Sequence, residues 1–192
     1  MDTERTDANS SLAPPTQVGT EHPSLLPRNG QLLVERTFIF SDLSGFTGFT
    51  RRNGPHAAAA MLATFRHVTR HIAASRGVRV AKWLGDGAML VGVEPMPAIA
   101  LGAHLVAHYR DSEVGVRVGI ASGTVLLFEG DDYIGEPVNL AAKLCAAAKP
   151  GEILADCESD GLPDWVHASD QVTVHVRGVG EVGGILRLVP AA

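Results

Sequence analysis

The chain has 192 residues, enough for one domain and a tail, and 45% of them are hydrophobic, enough for a core. A formal net charge of −5 excludes the basic footprint of a nucleic-acid binder, and aromatics at 5% leave few base-stacking side chains to display on a sheet. Two cysteines, Cys145 and Cys157, fit neither a disulfide scaffold nor a C-x-x-C zinc site, so a reduced, cytoplasmic setting with simple burial of both thiols is expected.

Residues 1–34 read as a flexible leader, because Pro14, Pro15, Pro23 and Pro27 break any helical pattern and only Leu25-Leu26 and Leu32-Leu33 are apolar pairs. The start, Met1-Asp-Thr-Glu-Arg, lacks the basic and apolar regions of a signal peptide. No apolar run is long enough to span a bilayer, so no membrane partner is expected. Residues 35–192 read as the folded domain.

Its first strand is expected over Arg36–Ser41, where Phe38-Ile39-Phe40 has the composition of a buried strand. Gly54-Pro55 reads as a helix start with proline at the first helical position. Leu62, Phe65, Val68 and Ile72 then recur at helical spacing as far as about Ser75. His67 and His71, four apart on this helix, have no third ligand in the pattern and read as solvated surface. Val78–Lys82 and Ala88–Val93 predict a hairpin with Gly85-Asp86-Gly87 at its tip. A second helix follows Pro95 and Pro97, with Leu101, Leu105 and Tyr109 buried. Val116, Val118 and Ile120 alternate with Arg117 and Gly119 as a strand, and Val125–Phe128 reads as another. A third helix is expected over Pro137–Ala148. Ile153–Ala155, Val172–Val176 and Ile185–Val189 complete the sheet. The order strand, helix, hairpin, helix, strand is that of an α+β, ferredoxin-like βαββαβ core: an antiparallel sheet with helices on one face, here with a C-terminal strand extension.

Two carboxylates stand out. Asp42 ends the apolar strand and precedes a Ser44-Gly45 turn, and Asp86 sits in a glycine-flanked turn between two apolar runs. Read alone, Asp42 is as readily a helix cap. On neighbouring strands the two could surround one or two Mg²⁺ ions, with the backbone N–H groups after Gly45 free to face phosphate oxygens.

With these residues placed, the chain from about residue 36 onward resembles the class III nucleotidyl cyclase catalytic domain. Phe38-x-x-x-Asp42-x-x-Gly45-Phe46-Thr47 is similar to the family's first metal motif, and Lys82-x-x-Gly85-Asp86 to its second, with a base-reading lysine. Asp132-x-x-Gly135-x-x-Val138-Asn139-x-Ala141-Ala142 resembles its dimerisation and substrate motif, and Ala148-x-Pro150-Gly151-Glu152-Ile153 its continuation. The resemblance implies a homodimer with two equivalent interface sites that convert ATP to cyclic AMP and pyrophosphate. One chain would supply Asp42 and Asp86 as ligands of two Mg²⁺ or Mn²⁺ ions, with Phe46 and Thr47 amides on the phosphates. The other would supply Lys82 and Asp132 for the base, and Asn139. The donor Lys82 and the acceptor Asp132 complement adenine, whose N1 accepts and whose exocyclic amine donates, and mismatch guanine. The family's arginine four residues after the asparagine is Lys143 here, which keeps the charge and loses the two-pronged geometry, so slow turnover is implied. The arm between Thr124 and Asp132 is short beside the family pattern. A catalytically degenerate homologue that binds nucleotide or dimerises for regulation is the alternative reading.

Overall fold

The computed structural model describes residues 32–176 and 178–191. Most of the leader, including Leu25-Leu26, lies outside them. The elements are β1 (Leu32–Ser44), α1 (Phe46–Ala74), β2 (Arg79–Leu84), β3 (Gly87–Gly92), α2 (Pro95–His108), β4 (Gly115–Phe128), β5 (Asp132–Ile134), α3 (Glu136–Ala147), β6 (Ile153–Asp156), β7 (Val166–Val176) and β8 (Gly180–Pro190). One sheet runs β2-β3-β1-β4-β6-β8-β7, with β5 paired to β4. Every pairing is antiparallel except β4 with β6.

The centre of the sheet is the long ladder between β1 and β4, in register from Leu32↔Leu127 to Ser44↔Gly115. Its side chains alternate between two cores, as a pleated strand buried on both faces requires. Ile39, Leu43, Val116, Val118 and Ile120 face α1 and α2 with Phe65, Leu101 and Leu105. Phe38, Ala121 and Val125 face the other way, with Met89, Val91 and Ala141. The α1 and α2 helices therefore cover one face of the βαββαβ core as expected, and α3 covers the opposite face. Gly119 permits this close seating: a side chain there would overlap the Ala141 carbonyl oxygen and the Cys145 amide nitrogen of α3.

Several boundaries move from the sequence expectation. Leu32 and Leu33 belong to β1, although both are exposed. The two strands expected within 116–128 are one, β4, because β1 pairs with it throughout. Helix α1 begins at Phe46, eight residues before the start expected at Gly54-Pro55, which is instead a kink inside it, with Gly54 at φ 81° and ψ 172°. Both thiols are free; Cys145 is buried and Cys157 half-buried. His67 and His71 are exposed, and no group of three His, Cys, Asp or Glu side chains among the described residues is arranged to hold a metal. Among those residues no helix is long and apolar enough to cross a membrane.

Candidate active site

The two carboxylates singled out in the sequence come together at one end of the sheet. Asp42 lies between Gly87 of β3 and Arg117 of β4 in the ladder. The Leu43 amide donates to the Asp86 carbonyl at 3.3 Å, which fixes the hairpin tip to the end of β1. Gly87 allows the approach, since a Cβ there would stand 2.7 Å from the Ser41 carbonyl oxygen and 3.3 Å from Asp42 Oδ1. A cleft of about 320 Å³ opens here, lined by Asp42, Gly45, Phe46, Thr47, Asp86 and Arg117, among others.

Electrostatics in the cleft favour a cation. Burial holds the Asp86 carboxyl above the ordinary carboxylate range, and the neighbouring Asp42 charge adds to the rise. Arg117 partly balances the pair: Nε and Nη2 donate to Asp42 Oδ2 at 2.9 and 2.6 Å, and Nη1 donates to the Ala146 carbonyl of α3 at 3.1 Å. Two carboxylates and nearby backbone oxygens suit a hard divalent ion that keeps water and takes further oxygens from a phosphate chain. Beside them Gly45, in the left-handed region at φ 84°, precedes α1, whose first turn has no side-chain cap. Uncapped N–H groups at a helix start are suited to anionic oxygens.

A second cluster lies elsewhere. Lys82 of β2 forms an ion pair with Asp132 of β5, with both side chains about half exposed. The hydrogen bond from Lys82 to Asp132 is the main cause of the raised lysine pKa. Asn139 and Lys143 lie on α3 and do not line the cleft. Asn139 is exposed, and the Lys143 ammonium stands 3.8 Å from where Gly178 would carry a Cβ. The structure thus joins Asp42, Asp86, Phe46 and Thr47 and separately joins Lys82 and Asp132; among the described residues, neither Lys82 nor Asp132 lines the cleft of the two carboxylates.

Two neighbours of the site were not singled out from the sequence. Arg117 was legible only as the polar member of an alternating strand; its role at Asp42 depends on the β1–β4 register. Arg66 of α1 donates from Nη2 to the Gly85 carbonyl at 3.3 Å and stacks over Trp83 at 5.2 Å, steadying the Asp86 turn from the helix side. A lone arginine amid Val116 and Val118 was the one available signal for the first; nothing local marked the second.

Comparison with known proteins identifies the family. The family model described as the adenylate and guanylate cyclase catalytic domain matches residues 31–184. An uncharacterized protein of Mycobacterium tuberculosis is 43% identical over 129 residues, 66% of this chain and 34% of its own length. An adenylate cyclase of Streptomyces coelicolor is 34% identical over 119 residues, 61% of this chain and 31% of its own. The chain thus spans about a third of the length of the curated relatives it matches. The crystal structure of the adenylyl cyclase CyaB from P. aeruginosa superposes with a TM-score of 0.70 at 26% identity, covering 84% of this chain and 97% of that one. With four-fifths of its length matched by the family model and its fold superposing on a solved adenylyl cyclase, the chain belongs to the adenylate and guanylate cyclase catalytic domain family.

Proposed function

We propose that this chain is an adenylate cyclase, converting ATP to 3′,5′-cyclic AMP and pyrophosphate at two equivalent sites of a homodimer. The observation that carries the reading is the meeting of Asp42, Asp86 and the uncapped start of α1 around one cleft. In the reaction the ribose 3′-oxygen bonds to the α-phosphorus, the bond from that phosphorus to the pyrophosphate oxygen breaks, and the hydroxyl proton passes to solvent or a nearby base. Asp42 and Asp86 would hold Mg²⁺ or Mn²⁺, which supplies charge neutralisation on the triphosphate and on the attacking oxygen.

The chain's own residues then have separable tasks. Amides of Phe46 and Thr47 bind terminal phosphate oxygens. Arg117 holds Asp42 in place. Lys82 and Asp132 exchange their mutual bond for two bonds to adenine, Lys82 donating to N1 and Asp132 accepting from the amine. Guanine presents the reverse pattern and leaves both unpaired, a mismatch that discriminates strongly. Among the described residues the Lys82–Asp132 pair does not line the cleft, which supports a second copy completing each site, with Asn139 and Lys143 on its side. Turnover is slow, since the Lys143 ammonium cannot hold two oxygens as a guanidinium does. That lysine and the occupied Asp42 carboxylate are also what a degenerate homologue would present.

The test is cyclic AMP formation by the purified chain with Mg²⁺ and with Mn²⁺, alongside Asp42→Asn and Asp86→Asn. Product from the parent and none from either folded variant is expected. Full activity in either variant would remove the two-carboxylate site, and no product from the parent with either metal would leave the degenerate homologue.

A further inference from the structure

The Lys82–Asp132 pair raises a geometric problem. In the free chain the two side chains bond each other. A base can be read only if they part by the width of its hydrogen-bonding edge and stay aligned, so some other contact must set their spacing.

The strand carrying Lys82 contains a device that aims it. The β2–β3 register runs Arg79↔Val91 and Val80↔Leu90, then jumps to Lys82↔Met89, leaving Ala81 as the extra residue of a β-bulge. In an unbroken strand Lys82 and Arg79, three apart, would point to opposite faces. The bulge turns Lys82 onto the face of Arg79, opposite Met89 and Val91, which lie in the core on the α3 side. Re-aiming a side chain in this way is a recurrent use of bulges.

The strand carrying Asp132 is weakly held. Strand β5 has three residues and, among the described residues, pairs only with the end of β4, through Phe128, Leu127 and Leu126. The turn before it runs through Glu129 and Gly130, both at positive φ (50° and 86°). Its tie to the sheet face is Tyr133. That ring packs edge-on against Phe38 with centroids 5.3 Å apart. Arg79 lies over it at 6.0 Å and donates from Nη2 to Tyr133 Oη at 3.2 Å.

We infer that Arg79 and Tyr133 are positioning residues for nucleotide selection: their contact joins β2 to β5 three residues before Lys82 and one after Asp132, and keeps that pair in reading register once a base has separated it. The inference rests on the proposed role of Lys82 and Asp132 toward adenine. Without the Arg79–Tyr133 contact, β5 is free to shift, Asp132 loses its fixed relation to Lys82, and the preference for adenine over guanine falls. Affinity for the triphosphate, which is held at the distant cleft, changes little.

The experiment uses the full chain and four proteins: parent, Arg79→Met, Arg79→Lys and Tyr133→Phe. Two readouts are taken on each, the ratio of kcat/KM for ATP over GTP, and the ratio of Kd values from displacement of a fluorescent ATP analogue by each nucleotide. Arg79→Met is expected to lower the ATP preference by about tenfold in both, the loss of one well-placed contact of this kind. Tyr133→Phe, which keeps the ring on Phe38, is expected to lower it by about threefold, and Arg79→Lys to fall between parent and Arg79→Met. A preference unchanged within about twofold in Arg79→Met, or an equal loss of affinity for both nucleotides, overturns the inference. So does a parent with no preference in either readout, even if it makes cyclic nucleotide. A parent that makes no product but binds ATP selectively refutes the proposed activity, and the displacement ratios alone then decide on Arg79 and Tyr133.

Discussion

Gly119→Ala is the sharpest test of how α3 is seated. A Cβ at this position would overlap the Ala141 carbonyl oxygen and the Cys145 amide and stand 2.9 Å from Cys145 Cα. Carbon atoms rest at about 3.5–4.0 Å, so α3 must lift from β4 by roughly 1 Å. Both obstacles are helix backbone and cannot rotate aside. The cost therefore falls at the upper end for overpacking, about 3 kcal/mol. For a domain of this size that corresponds to a fall in Tm of about 6–12 °C. Gly183→Ala is the control, because its nearest obstacle is the Thr173 hydroxyl at 3.7 Å. Thermal melts followed by circular dichroism compare the two, and cyclic AMP formation is measured below both transitions. The same lift displaces Asn139 and Lys143, and misplacement by 1 Å costs on the order of a hundredfold in rate. A melt within about 2 °C of the parent, with activity intact, would refute the tight seating of α3 on Gly119.

Three further outcomes are expected. Asp42→Ala and Asn139→Ala chains, each inactive alone, regain part of the activity when mixed, because one interface of the heterodimer keeps all its groups; no recovery, with subunit exchange shown by mass-tagged chains, argues for sites within one chain. Lys143→Arg raises kcat by about tenfold, roughly 1.4 kcal/mol of barrier, with little change in KM, while Lys143→Ala lowers kcat; indifference to both places Lys143 on plain helix surface. Burial pushes the Cys157 thiol up to about 11 and the Cys145 thiol up to about 12. At pH 8 the thiolate of Cys157 is then on the order of a hundredfold scarcer than in an exposed cysteine, so alkylation by iodoacetamide, followed by mass spectrometry, is slower in the folded chain by about that factor.

What the sequence made legible was what local chemistry encodes. Phe38-Ile39-Phe40, the glycine-flanked Asp86, and the helix after Pro95 carry their periodicity and turn residues within a few positions. Motif order also pointed to Lys82 and Asp132 as a pair, and the two side chains, fifty residues apart, are in contact. Features set by pairing were not legible. Nothing near Ser122-Gly123-Thr124 says that β4 continues through it; the partner strand β1 supplies that instruction. Arg117 reaches Asp42 only in the observed register, and the bulge at Ala81 exists only relative to β3. The first part of α1, Phe46–Asn53, is poor in strong helix formers, and burial of Phe49 with partial burial of Phe46 supports a helix that propensity alone does not favour.

The kink at Gly54 has a mechanical consequence. It divides α1 into a body, whose Phe65, Thr69 and Ala73 are locked in the core, and a forward piece of eight residues that carries the Phe46 and Thr47 amides. At 1.5 Å per residue the forward piece is a lever about 12 Å long, so a rotation of about 10° at its glycine fulcrum moves its tip by about 2 Å. Phe46 and Phe49 load that lever from the core side. From solvent it is tethered by Arg52, which donates to Glu113 Oε1 at 2.7 Å, and by Asn53, which donates to the same oxygen at 3.4 Å. The tether is exposed and open to screening, whereas Asp42 is fixed in the ladder of the sheet and the Asp86 turn is bonded to the Leu43 amide. Ionic strength therefore acts on the reach of the tip that carries Phe46 and Thr47, while backbone pairing holds the footing of Asp42 and Asp86.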